Sequence, residues 1–115
     1  MLFGKNRLRA RKDFSLILKK GKTVHGRFFL LKYLPINLPN SFFGFIVSTR
    51  VDKRATKRNF IKRQMRELVR LFVLPKIDKQ VKAVLVANPA IVNKKNRYIQ
   101  EDLLDVFSKH GLIKQ

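Results

Sequence analysis

One segment limits the folds open to this chain more than any other. Residues 56–74 read as a helix with two incompatible faces. On a wheel of about 100° per residue, Phe60, Ile61, Met65, Leu68, Val69 and Phe72 fall on one arc. Arg58, Lys62, Arg63, Arg66 and Arg70, with Asn59 among them, read as the basic face. The apolar arc has to dock on another layer, which leaves the basic arc displayed on a rigid rod. Its charges recur at i and i+4, about 6 Å apart, where like charges weaken an isolated helix by a few tenths of a kcal/mol per pair. Only Glu67, placed near the apolar edge, dilutes the cluster, whereas a merely solvated face mixes signs. Arg prevails over Lys, which suits bidentate phosphate contacts, and Asn59 adds a neutral donor and acceptor.

The layer that receives this rod is legible in the flanking segments. Residues 8–20 read as a first helix, with Phe14, Ile17 and Leu18 at helical spacing and Gly21 after its end. Residues 23–34 read as extended, with Gly26 as a bend or bulge, and 35–41 as a turn with two Pro and two Asn. Residues 42–48 are apolar almost throughout and read as a central strand. Pro75 stops the long helix, and 81–87 form a strand ended by Asn88-Pro89. Polar, basic 93–97 leads into a closing helix over 98–109, with Ile99, Leu103, Val106 and Phe107 on one face. Glu101 and Asp102 suit the dipole of its first turns, Gly111 ends it, and His110 reads as a cap for its last carbonyls. The order α-β-β(-β)-α-β-α predicts an α+β, single-domain, two-layer sandwich over residues 1–115.

Charge narrows the partners. Twenty-seven Lys and Arg face seven Asp and Glu, a net charge of +20, and a folded domain so basic gains by meeting a polyanion. Ten Phe and 45% hydrophobic residues supply the apolar surface that a disordered basic tail lacks. Nucleic acid leads. A solvated face, and binding to an anionic membrane surface or a calmodulin-like groove, are the alternatives, although the apolar arc is needed for the sheet. If about six phosphates are engaged, affinity drops on the order of 10³ between 50 and 200 mM salt. Charge does not separate RNA from DNA.

There is no Cys, hence no thiol nucleophile or disulfide, which suits a reducing cytoplasm. The opening Met1-Leu2-Phe3-Gly4-Lys5 lacks a signal-peptide core, and no run reaches the ~18 apolar residues of a membrane span. His25 and His110 lie far apart, and Glu101, Asp102 and Asp105 are explained by the helix dipole rather than as metal ligands. No Gly-rich phosphate loop appears. No catalytic residue and no protein-bound cofactor are expected.

The run Ala55-Thr56-Lys57-Arg58-Asn59-Phe60-Ile61-Lys62-Arg63-Gln64-Met65-Arg66-Glu67 resembles the signature of the ribonuclease P protein family. That signature has Arg-Asn, then Lys-Arg three residues on, then Arg-Glu. Arg7-Leu8 followed by Asp13-Phe14, with Gly21 beyond, is similar to the family's opening. The preceding loop, Val51-Asp52-Lys53-Arg54, lacks the family's usual Gly. The resemblance implies a sheet flanked by helices with a left-handed β-α-β crossover, a handedness against the general rule. It implies a subunit that binds a catalytic RNA using Mg²⁺, and that holds the single-stranded 5′ leader of precursor tRNA. Arg58, Asn59, Lys62, Arg63 and Arg66 would contact the RNA subunit, with Arg54 and Arg70 extending that surface. Phe14, Leu18, Leu30 and Lys32 would line the leader cleft, although Phe14 reads equally as core. No membrane and no obligate protein partner are expected. A non-enzymatic ribosomal or RNA-chaperone protein is the alternative, and a DNA-compacting protein a third reading.

Overall fold

The strands pair because their alternate side chains meet two different helical layers. In the computed structural model, which describes residues 4–114, β1 (Lys22–His25) and β2 (Phe29–Pro35) form an antiparallel hairpin. β2 pairs antiparallel with β4 (Val81–Ala87), and β3 (Phe42–Ile46) runs parallel to β4, giving the order β1-β2-β4-β3. Met1, Leu2 and Phe3, part of the opening read as free of a signal sequence, lie outside the described residues, as does Gln115.

Three helices complete the element order: α1 (Arg11–Lys20), α2 (Ala55–Leu68) and α3 (Asn96–Lys109). One sheet face carries Phe29, Leu31, Tyr33, Phe43, Val81, Ala83 and Leu85. These pack with Ile61, Met65, Leu68 and Val69 of the α2 region and Ile99, Leu103, Val106 and Phe107 of α3. Each fully buried aliphatic contributes about 1.5–3 kcal/mol. The opposite face holds a smaller cluster, in which Ile17 of α1 and Leu8 pack around Val84. The β3–α2–β4 segment is the crossover between parallel neighbours. Among the described residues, no helix is long and apolar enough to cross a membrane.

Several local expectations are corrected. α1 starts at Arg11 rather than residue 8, because Leu8 instead donates its N–H to Phe43 O at 2.9 Å. Residues 23–34 are a hairpin, not one strand. Gly26 is required at its turn, since a Cβ there would lie 2.7 Å from Asp102 Oδ2 and from Val106 Cγ2. β3 is an edge strand, apolar because both its faces are covered. The long helix leaves α geometry at Leu68, passing through a π turn (Val69–Val73) and a 3₁₀ turn (Leu74–Lys76) that contains Pro75. α3 begins at Asn96, two residues before the expected start.

Asp102 is no dipole partner. Its buried carboxylate accepts the Arg27 and Phe28 N–H groups, both at 2.9 Å, and so fastens the hairpin turn to α3. His110 is the C-cap of α3 and its backbone N–H donates to Ser108 O, but its ring turns away from the last carbonyls. Its Nδ1 shares a 2.7 Å hydrogen bond with the hydroxyl of Tyr33, whose ionisation burial pushes up.

Candidate nucleic-acid interface

The loop that launches α2 is held by a carboxylate. Val51 N–H donates to Ser48 O at 3.0 Å, closing a turn. Asp52 Oδ1 then accepts the Arg54 N–H at 2.9 Å and Nε at 3.0 Å, while Oδ2 accepts Nη2 at 2.9 Å. These hydrogen bonds hold the Asp52 carboxyl far below the usual carboxylate range. An Asp bonding its own backbone two residues on thus makes the bend in a loop without glycine. Arg58 folds back to donate from Nη1 to the carbonyls of Asp52 (3.1 Å) and Lys53 (2.7 Å). It braces the loop through carbonyl oxygens alone.

Past Arg58 the positive face opens. Thr56, Asn59, Lys62, Arg63 and Arg66 line a shallow groove of about 480 Å³. Among the described residues, no carboxylate lies within 4.0 Å of the Arg58, Lys62, Arg63 or Arg66 cations. Partial burial pushes Arg66 below its ordinary value, and the nearby Arg7 guanidinium adds to this. Arg7 is bridged to Phe43 of β3, so the N-terminal segment adds a cation that the sequence reading left out of the site.

The ends of the face differ. Arg54 is paired with Asp52, and Arg70 with Glu67 through Nη2 and through Nε at 3.2 Å. The Arg70 hydrogen bonds hold the Glu67 carboxyl down at about 2. Glu67 thus serves Arg70 from the margin of the helix face. Phe60, placed by its spacing on the docking arc, is 50% exposed. On the wheel it lies beside Thr56 and Arg63, at the margin of the arc centred on Ile61, Met65 and Leu68.

The second set of residues gathers on the other sheet face. Strand register sets side chains there in rows: His25–Leu30–Val86–Ile46, then Thr23–Lys32–Val84–Gly44, then Leu34–Lys82–Phe42. α1 lies over the middle row, with Ile17 on Val84. The Phe14 ring sits against Gly44, where a Cβ would collide with its Cε1 and Cζ. Asp13 reaches Lys82 Nζ at 3.5 Å in the third row. Phe14 and Leu18 lie on the opposite helix edge, and so face the first row.

Phe14, Leu30 and Lys32 are half-buried, and Leu18 is 36% exposed. Phe14 packs on the Ile17–Val84 cluster beside Val86 and Ile46, while Leu30 pairs with Val86 and Lys32 with Val84, which leaves a partly covered apolar strip along this row. Val86 and Ile46 complete its floor, and period-two alternation combined with strand pairing was the signal for them. Phe14 is thus both packed against the sheet and open at one edge.

A cationic helix above one sheet face and a partly covered apolar row beside α1 on the other define an α+β polyanion-binding domain with two separate surfaces. The family model described as Ribonuclease P matches residues 2–111. The ribonuclease P protein component of Syntrophomonas wolfei is 33% identical over 97% of this chain and 92% of its own length. That of Rickettsia rickettsii (strain Sheila Smith) is 37% identical over 71% of this chain and 75% of its own. Among solved structures, a Staphylococcus aureus RNase P protein mutant with defective mRNA degradation activity aligns with a TM-score of 0.84. It is 25% identical, and the alignment covers 95% of this chain and 91% of that one. The RNase P protein from Thermotoga maritima aligns at 0.80 with 28% identity, covering 90% and 96%. The chain belongs to the ribonuclease P protein family, and its role is that of the protein component of this ribonuclease.

Proposed function

We propose that α2 binds the RNA subunit of ribonuclease P, while the α1–sheet cleft holds the single-stranded 5′ leader of precursor tRNA. The observation that carries this reading is the contrast along α2. Arg54 and Arg70 have carboxylate partners, whereas among the described residues Arg58, Lys62, Arg63 and Arg66 have none within reach. A helix face that forgoes internal neutralisation is stabilised by phosphates, whose binding releases counterions. Folded RNA is met through phosphates and shape, and single strands through apolar platforms beside cations. The two surfaces match those two demands.

In this proposal the RNA subunit performs the hydrolysis with Mg²⁺. Five of the chain's seven acids are engaged within the protein. Asp13, Asp52, Glu67 and Asp105 each face a separate cation, and Asp102 is spent on backbone N–H groups. Among the described residues, no three His, Asp or Glu side chains converge. The chain's own contribution is to orient the leader and to screen repulsion between two RNAs, which lowers the Mg²⁺ that assembly requires. RNA is its obligate partner, and the cytoplasm its place of work. Family membership disfavours the ribosomal or RNA-chaperone reading.

The test is reconstitution. Added to a bacterial ribonuclease P RNA and precursor tRNA at low Mg²⁺, the protein should raise leader removal, and alone it should leave the substrate uncut. Equal cleavage with and without protein removes the proposal.

A further inference from the structure

α2 has a second exposed flank that the proposed RNA and leader surfaces do not use. Lys57, Phe60, Ile61 and Gln64 recur at i, i+3, i+4 and i+7 along it, facing the segment from Asn93 to Asn96. Between them lies a groove of about 450 Å³. The Phe60 ring is half exposed, with Lys57 Nζ 5.6 Å from its centroid. A single exposed apolar side chain is ordinary, but here the surroundings are organised around it.

Lys57 Nζ donates to Asn93 Oδ1 at 2.7 Å, and Asn93 holds a left-handed backbone with φ of 62°. Gln64 Nε2 donates to Asn96 Oδ1 at 2.6 Å and to Lys94 O at 3.3 Å. The amides are thus tied in place, and Gln64 Oε1, Asn93 Nδ2 and Asn96 Nδ2 have no other protein partner among the described residues. Lys94 and Lys95 form the outer rim, with Lys94 Nζ 5.9 Å from the Phe28 ring centroid. None of the three lysines has a carboxylate within 4.0 Å among the described residues.

We propose that this groove between α2 and the Asn93–Asn96 loop takes one unpaired nucleotide of a bound RNA, its base stacked on Phe60 and its phosphates met by Lys57, Lys94 and Lys95. An aromatic face accepts any base, cations follow the backbone, and fixed amides can hydrogen-bond a base edge. A duplex buries its base faces and has nothing to offer the ring. The groove adjoins the Arg63 side of the cationic face, so an RNA lying there could place an unstacked base in it. The inference deepens the proposed RNA binding and rests on it.

Two RNA hairpins closed by the same short loop separate the ideas, one with a fully paired stem and one whose stem carries a single unpaired adenosine. Full-length wild-type protein should bind both with steep salt dependence and prefer the bulged one roughly 10-fold. Phe60→Ala and Phe60→Leu should remove that preference and leave affinity for the paired hairpin unchanged, while Phe60→Trp should keep it. Thermal unfolding of each variant reports any general defect, which would weaken both probes alike. Equal wild-type affinity for the two hairpins, full preference in Phe60→Leu, or an equal loss on both probes overturns this inference and leaves the cationic face intact. Salt-insensitive, weak binding of both overturns the RNA-binding reading as well.

Discussion

The two faces of the sheet solve different problems with the same strands. Under α2 and α3 the alternate residues Phe29, Leu31, Tyr33, Ala83 and Leu85 disappear into one large core. Under α1, Ile17 seals Val84, but the neighbouring residues of those strands are only partly covered, and the row Leu30–Val86–Ile46 stays half open. The closed face yields a rigid platform whose outer surface can hold uncompensated charge. The open face yields an apolar strip that a flexible strand could occupy. Completing the core on one side is what makes the cations tolerable, and leaving it incomplete on the other is what makes a cleft.

The sharpest way to break that contrast is to remove the platform. Ile61→Ala, at a side chain only 1% exposed, should cost about 2–5 kcal/mol in urea unfolding. Its loss of RNA affinity should track the unfolded fraction. A stable variant that binds poorly would mean that Ile61 is not the anchor described. Next in size, Lys62→Ala, Arg63→Ala and Arg66→Ala combined should weaken binding to the RNA subunit on the order of 100-fold. They should also flatten the logarithmic salt slope by about 2–3, with melting temperature held or raised as repulsion falls. An unchanged salt slope would place the phosphates elsewhere.

On the open face, Phe14→Ala should reduce affinity for precursor tRNA roughly 10-fold and for mature tRNA little, the scale of one lost stacking contact. Equal losses on both substrates would assign Phe14 to packing against Gly44 alone. Arg70→Ala should change RNA affinity less than about 2-fold, since an exposed ion pair contributes little and this cation is already answered by Glu67. A loss matching that of Arg63→Ala would erase the distinction between paired and unpaired cations.

The smallest effect is in pH. Glu67 has a depressed folded value of about 2, so its contribution is complete above the unfolded carboxylate range. It is lost only as pH falls from there towards 2. Stability that is flat between pH 7 and 5 and declines below that fits, and an increase on acidification does not.

The elements carrying strong periodicity were legible in the residues. The strand Val81–Ala87 was read with its observed bounds, and the two-faced helix was recovered apart from its last turns, where π and 3₁₀ geometry replace the regular ladder. What failed was whatever depended on distant neighbours. Gly26 was legible as a bend, but not why glycine is needed there, which is the Asp102 side chain, far along the chain, set against its turn. The apolar run 42–48 looks central, because a strand covered on both faces reads the same at an edge as in the middle. Phe60 was assigned to the core since a wheel scores its angle without knowing where the neighbouring loop ends. Of the candidate site, the cationic positions were visible as residue types at a spacing. Which of them are neutralised, and that Arg7 joins them, needed the Asp52 and Glu67 side chains and the Arg7–Phe43 bridge.

The clasp between Asp102 and the hairpin has a bearing on biosynthesis. Arg27 and the aspartate that secures it are 75 positions apart, and contacts of such long range form late. A nascent chain has displayed its arginine-rich rod well before α3 emerges to lock the first two strands. The growing polypeptide therefore carries its positive charge earlier than it gains its final shape, and its last helix is what ends that interval.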